Sequence, residues 1–362
     1  MVVNNICIDK FAKILYYLRV GGLMNKGIAI AGNLIVDKNK SIPVYPEKGM
    51  LVKIESVIQN VGGCVPNTII DIAKIDPSVP LYAYGKVGAD TEGKFLVDTL
   101  NSYGIDTLGV KYSSLPTSFT DVMNVTATGE RTFFQYPGAN SEYDITDIDV
   151  DSLNCDMFHA GYILLMEKFD ESDPEYGTRL ARLLKAIQDK GIKTSVDVVS
   201  EEGERFSRLV PPALKYCNYS IINEIEGGRA VGISPRDSEG KLIAENIKLI
   251  LQKFFELGVK DIAVIHCPEG GFALDKNGKY VSIPSQNLPK GYIKGSVGAG
   301  DAFCAGVLYG IYKGLPLDKT VEIGNLAAAA NLSEIDSISG LRSLDELMLI
   351  KGKYPRRACV VL

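Results

Sequence analysis

Small residues lead into an acid in the run Gly295-Ser296-Val297-Gly298-Ala299-Gly300-Asp301-Ala302-Phe303, and an apolar stretch to Tyr312 follows at once. Phe303, Val307, Leu308 and Ile311 have helical spacing, and Gly314 with Pro316 stops the pattern. The glycines therefore sit where a loop enters a helix. The amides of Gly298, Ala299 and Gly300 are then unpaired and face any anion in front of them. An acid on the first turn, beside a pocket for negative charge, suits a base for phosphoryl transfer to a hydroxyl. A plain tight turn with a capping aspartate would use the same residue types. The spacing fits neither G-x-x-x-x-G-K-[ST] nor G-x-G-x-x-G, which excludes two other phosphate loops.

Chemistry of this kind needs a scaffold that delivers several loops to one place. Ile28 to Val36, Leu81 to Tyr84, Lys193 to Val198, Tyr219 to Ile222 and Ile262 to Ile265 read as buried strands. Between them, residues 177–190 place Leu180, Leu183, Leu184 and Ile187 on one helical face, residues 241–257 repeat the pattern, and residues 320–332 form an alanine-rich helix. This alternation predicts an α/β fold with a mostly parallel central sheet flanked by helices. Residues 37–61 and 110–135 break it with short alternating segments bounded by Pro and Gly, which read as antiparallel strands projecting from the main sheet.

With 362 residues, 46% of them hydrophobic, the chain can bury a substantial core. A formal charge of −5 and a pI near 5.3 argue against nonspecific nucleic-acid binding. The seven cysteines form no C-x-x-C pair, so a reducing, cytoplasmic setting is expected. Two histidines, His159 and His266, leave little scope for a histidine zinc site, and neither H-E-x-x-H nor G-x-S-x-G occurs. The apolar stretch Ile14 to Met24 is interrupted by Arg19 and too short to span a bilayer. Residues 1–26 therefore read as an N-terminal extension, poorly ordered or preceding a natural start at Met24, and residues 27–362 as the folded domain.

Gly298-Ala299-Gly300-Asp301-Ala302-Phe303, followed by Ala305-Gly306, closely resembles the C-terminal signature of ribokinase-like (PfkB-type) carbohydrate kinases. The likeness runs from about Gly27 to Ser343. It implies a three-layer fold with a small β-sheet lid, ATP and Mg²⁺ as cofactors, and a dimer through the lid. Gly32-Asn33-Leu34-Ile35-Val36-Asp37 resembles the strand ending in a substrate-binding aspartate, and Gly62-Gly63-Cys64-Val65-Pro66-Asn67 the family's G-G-x-x-x-N signature. Gly85 to Gly93 matches a further element, read as a turn feeding a helix. Arg131, in the turn Gly129-Glu130-Arg131-Thr132, and Asn140, in Gly138-Ala139-Asn140, join the implied substrate contacts; a surface charge is the other reading of Arg131.

The resemblance further assigns Asn223 and Glu226 of an N-x-x-E element, with Asp197, to magnesium. The nucleotide is expected against Asn223, His266, Gly270, Ser296, Ala327 and Asn331. Two departures are visible. Val264-Ile265-His266-Cys267-Pro268-Glu269-Gly270 lacks the threonine and first glycine of V-T-L-G-x-x-G, and Gly295 stands where many relatives carry the aspartate of a monovalent-cation site. The implied reaction is γ-phosphoryl transfer to a small sugar or sugar acid, with Asp301 as base and the Gly298–Gly300 amides as anion hole. A nucleoside kinase, with Tyr82, Phe133 or Tyr136 clamping a base, and a non-catalytic sugar-binding protein are the alternatives.

Overall fold

The computed structural model describes residues 26–199 and 203–358; the expectations for the N-terminal extension fall, Lys26 apart, outside them. The first strands are β1 (Ile28–Gly32), β2 (Ile35–Ile42) and β3 (Ser56–Gly62), followed by α1 (Cys64–Ile75), β4 (Leu81–Gly88), α2 (Thr91–Ser102), β5 (Asp106–Ser113), β6 (Phe119–Val125) and β7 (Arg131–Tyr136). A 3-10 turn at Gly138–Glu142 leads on to β8 (Met157–Ile163) and α3 (Glu167–Asp170), then a two-residue pair, β9 (Ser172–Asp173) and β10 (Gly177–Thr178), and α4 (Arg179–Asp189). The second half holds β11 (Lys193–Val198), α5 (Phe206–Leu214), β12 (Tyr219–Asn223), α6 (Glu224–Val231), α7 (Ala244–Leu257), β13 (Ile262–Cys267), β14 (Gly270–Asp275) and β15 (Tyr280–Pro284). The helices α8 (Ala299–Tyr312), α9 (Leu317–Asn331) and α10 (Leu344–Lys353) end the described chain.

Nine strands make one sheet in the order β15-β14-β13-β12-β11-β8-β1-β4-β5, parallel from β5 to β13 and antiparallel at β14 and β15. Its middle strands are apolar on both sides because both faces are covered. In β1, Ile28 and Ile30 enter one core with residues of α1, α8 and α9, and Ala29 and Ala31 enter the other with residues of α4, α5 and α7. The helical stripe Leu180, Leu183, Leu184 and Ile187 is buried as its spacing requires. Thr178 caps that helix by accepting the Ala181 N–H at 3.2 Å.

A second, four-stranded sheet has the order β3-β2-β6-β7, two antiparallel pairs joined by a parallel pairing of β2 with β6. Two expectations change here. The run Ile28 to Val36 is not one strand: it breaks at Asn33 and Leu34, and β2 carries the chain into the small sheet. Residues 110–113, expected among the projecting strands, belong to β5 and the main sheet. The parallel strands β8, β11, β12 and β13 end at Ile163, Val198, Asn223 and Cys267 along one edge, the place where open α/β sheets gather binding loops.

Candidate active site

Asp301 stands in the first turn of α8 and is 6% exposed. The Tyr162 hydroxyl, near the end of β8, donates to its Oδ1 at 2.6 Å. The Asn67 side-chain amide, from the first turn of α1, donates to its Oδ2 at 2.9 Å, and Asn67 Oδ1 accepts from Ser337 Oγ at 2.7 Å. Burial raises the Asp301 carboxyl from its ordinary 3.8 to about 6, against the two donors and helped by the charge of Asp37. Gly298 caps α8 in the left-handed region at φ 76°, and a Cβ there would lie 2.6 Å from Ser337 Cβ, so only glycine fits the turn. One expectation is corrected: the Ala299 amide is not free, since it donates to Ser296 O at 3.3 Å. The amides of Gly298 and Gly300 meet no acceptor among the described residues.

Three cavities meet at this turn. The first, of about 620 Å³, lies under the small sheet and is lined by Asp37, Asn60, Gly63, Asn67, Thr120, Arg131, Gln135, Gly298 and Asp301 among others. The second, of about 200 Å³, shares Tyr162, Gly298 and Asp301 with it and adds Asp197, Asn223, Glu226, His266 and Gly300. The third, of about 400 Å³, shares Asn223, His266 and Gly300 with the second and extends between Ser296, Ala299, Phe303 and the α9 residues Asn325, Ala328 and Ala329. A molecule in either outer cavity therefore reaches the same small central space.

Asp37 is the third residue of β2, not the end of a strand as expected, and its neighbours across the ladder are Asn60 and Thr120. Burial raises its carboxyl to about 6, with the Thr120 hydroxyl acting the other way. Gly62 closes β3 beside it; a Cβ at 62 would fall 2.3 Å from Asp37 Oδ2. Gly63 caps α1.

Two expected substrate residues lie elsewhere. Asn33 Oδ1 accepts from the Tyr162 N–H and its Nδ2 donates to Leu165 O, both at 3.1 Å. Asn140 grips both backbone groups of Leu34, at 3.3 and 3.1 Å. Neither lines the cavity, because each amide is taken up in holding the crossing between the two sheets.

In the central cavity, Asn223 ends β12 and caps α6. Its Oδ1 accepts the Glu226 N–H at 2.8 Å and Glu226 Oε2 accepts the Asn223 N–H at 3.1 Å. The N-x-x-E pattern is thus a capping box that also aims two oxygen-bearing side chains at one space. Asp197, 5% exposed, has a carboxyl held well above the usual range by burial and then by the charges of Glu226 and Asp301. No cationic side chain among the described residues pairs with it. Crowded oxygen donors of this kind suit a small hard cation.

His266 packs at a tilt against Phe303, ring centroids 4.8 Å apart, and burial lowers it to about 4, so the imidazole is neutral near pH 7. Ser296 lines the third cavity. Gly270, Ala327 and Asn331 do not: Gly270 packs in β14 against Ile283, Ala327 is wholly buried, and Asn331 donates to Ser337 O at 2.7 Å. Cys267, Pro268, Ala328 and Leu332 take their places.

Sequence reasoning missed Tyr162, Ser337 and Arg357. Arg357 lines the third cavity from a segment after α10, which is held to the stretch following β15 by the Asn287 N–H to Pro355 O at 2.7 Å and the Arg357 N–H to Ser285 O at 2.8 Å. Of the three aromatic clamp candidates, only Phe133 lines the first cavity; Tyr136 packs on Phe119, and Tyr82 faces a separate hollow.

Among known proteins, an Archaeoglobus fulgidus protein described as an uncharacterized sugar kinase is 26% identical over 265 residues, 72% of this chain and 95% of that one. The 5-dehydro-2-deoxygluconokinase of Clostridium beijerinckii is 25% identical over 287 residues, 74% of this chain and 77% of its own. The bifunctional protein HldE of Helicobacter pylori is 24% identical over 339 residues, and the chain spans 66% of its length. Among solved structures, Arabidopsis thaliana ribokinase complexed with ribose and ATP superposes with a TM-score of 0.73 at 18% identity, covering 90% of this chain and 99% of that one. The fold is therefore ribokinase-like. The pfkB family carbohydrate kinase profile matches residues 28–344, and the chain belongs to that family of sugar kinases.

Proposed function

We propose that the chain transfers the γ-phosphoryl group of ATP to a hydroxyl of a small sugar or sugar acid, with Asp301 aligning that hydroxyl and accepting its proton. The observation that carries this reading is the position of Asp301 and the Gly300 amide where the three cavities meet. The acceptor occupies the 620 Å³ cavity, where the Asp37 carboxylate takes hydrogen bonds from its hydroxyls and Asn60, Asn67 and Thr120 fix its orientation. ATP occupies the third cavity, its base against Ala328, Ala329 and Leu332 and its phosphates toward Gly300.

As the acceptor oxygen bonds to the γ-phosphorus, the bond to the β–γ bridging oxygen breaks, ADP leaves, and the proton passes to Asp301 Oδ2 or Oδ1. The transition state asks little of a base, so alignment by Tyr162 and Asn67 is the main contribution. The amides of Gly298 and Gly300 face the charge that develops on the transferred group, an interaction worth about 2.7–4 kcal/mol per donor where it has been measured. The donor set Asp197, Asn223 and Glu226 fits magnesium, which when bound supplies charge neutralisation of the polyphosphate.

The free and mostly buried thiols of Cys64, Cys155, Cys217 and Cys304 support a reducing setting such as the cytoplasm. No helix among the described residues is long and apolar enough to cross a membrane. Exposed Val57, Ile58, Phe133 and Phe134 on the small sheet support a homodimer formed through it, which sedimentation of the wild type against Ile58→Lys tests. The function itself is tested by ATP consumption with Mg²⁺ across pentoses, ketohexoses, sugar acids and nucleosides, with Asp301→Asn as control. A hit lost in the variant supports the reading; sugar binding with no ATP turnover in any mixture overturns it.

A further inference from the structure

The cavity under the small sheet has an unusual distribution of charge along its length. Strand register sets out its wall in successive rungs. Asn60, Asp37, Thr120 and Gln135 face one another across the four strands, Asn39, Val122 and Phe133 form the next rung, and Asn124 and Arg131 the outermost. Because strand side chains alternate, Arg131, Phe133 and Gln135 point to one side, and all three line the cavity. Gln135 lies four positions along the strand from Arg131, about 13 Å at roughly 3.3 Å per residue. The acids, Asp37, Asp301 and Asp336, gather at the inner end, and Arg131 is the one cation lining the cavity among the described residues.

Its surroundings separate it from an ordinary surface charge. The other two cations of these strands, Lys38 and Lys40, are engaged in ion pairs with Glu92 and Asp121 at 3.0 and 2.7 Å. Arg131 forms no ion pair with any described residue, although it is half-buried and Glu130 is its neighbour. A guanidinium held without a partner at the mouth of a polar cavity is suited to a planar anion such as a carboxylate or the oxygens of a phosphate.

We propose that Arg131 makes this site selective for acceptors that carry an anionic group, a carboxylate or a phosphate, at the end opposite the hydroxyl being phosphorylated. The inference rests on the sugar-kinase reading and narrows its substrate class: a chain or ring whose hydroxyls meet Asp37 and Asp301 and whose anion reaches Arg131. Simple neutral pentoses leave the guanidinium unanswered.

The test uses the full chain and three matched acceptors: a neutral ketohexose, the corresponding six-carbon keto acid, and a hexose phosphate. The ratio of kcat/KM for the better anionic acceptor to that for the neutral one should exceed about 10 in the wild type. In Arg131→Gln that ratio should fall by about 10- to 100-fold, mainly through acceptor KM, with partial recovery in Arg131→Lys. The carboxylate and phosphate arms identify which anion is used. A wild-type preference for the neutral sugar, or a ratio unmoved by Arg131→Gln, overturns the proposal. Calorimetric binding of the same sugars without ATP keeps the two readings apart. Anion-selective binding that vanishes in Arg131→Gln, without turnover of any acceptor, sustains the inference and sinks the kinase reading; binding that ignores the anion sinks the inference alone.

Discussion

Asp301→Asn should make the protein more stable and almost inactive at once. The buried carboxyl has been moved from 3.8 to about 6, and at 1.36 kcal/mol per pH unit its ionised form costs the folded state about 3 kcal/mol. The native state therefore holds this proton more tightly than the unfolded chain does. Below pH 4 both states are protonated and nothing is lost; the cost grows as pH rises from 4 to 6 and is constant above. Asparagine carries no charge to desolvate, but its amide would face the Asn67 donor. That pair is relieved if Asn67 turns its oxygen to residue 301 and its NH₂ to Ser337 Oγ, a rearrangement costing about 1 kcal/mol. The net gain at pH 8 is then about 2 kcal/mol; near pH 4, where little but the rearrangement cost remains, it turns into a loss of up to about 1 kcal/mol. Urea unfolding at both pH values measures it, and turnover measured on the same preparation should be down at least about a hundredfold. A variant destabilised at pH 8 by an amount that does not change with pH would refute the electrostatic argument; near-normal turnover would refute the role of the carboxylate.

Four further outcomes follow from the same geometry. Tyr162→Phe removes the donor that favours ionised Asp301, so the acid limb of the kcat–pH profile should move above 6 and kcat at pH 7 should fall about tenfold. Gly62→Ala places a methyl against the Asp37 carboxylate; acceptor KM should rise at least about tenfold in steady-state kinetics while the KM for ATP changes little, and the strained packing should cost about 1–3 kcal/mol in urea unfolding. Glu226→Gln keeps an acceptor for the capping box but loses its charge, so the Mg²⁺ concentration for half-maximal rate should increase several-fold in a metal titration. Arg357→Ala should raise the KM for ATP by about threefold to tenfold, more than it lowers kcat, if the lost charge borders the third cavity, proposed for the nucleotide, and not the reacting atoms.

Much of the molecule was legible because local patterns and physical requirements coincided. Buried parallel strands announce themselves as apolar runs, and the turn before Asp301 needs small residues whatever the substrate. Asn67 and Asp301 are each legible because each belongs to a compact signature; the hydrogen bond between them is visible only in the fold. Tyr162 is not legible: it reaches Asp301 across 139 residues through the order of strands in the sheet, and its own surroundings carry no signal. Ala327 and Asn331 differ from the cavity-lining residues by helical phase. Asn325, Ala328, Ala329 and Leu332 repeat at the spacing of one face, and that face lines the cavity; Ala327 and Asn331 point into the core. Asn33 and Asn140 were found as special positions, but side-chain type alone does not tell an amide that binds a ligand from one that binds backbone.

Those two asparagines bear on how the small sheet can move. With Asn33 tied to Tyr162 and Leu165, and Leu34 held at both its N–H and its C=O by Asn140, the short link from β1 to β2 is no swivel. Any opening above Asp37 must come from twisting of β2 beyond Ile35, spread over several residues and resisted like a bent spring. In hydrogen exchange, the Leu34 amide should then keep the slow rate of the core, and rates should climb residue by residue from Ile35 toward Ile42 instead of stepping up at the junction.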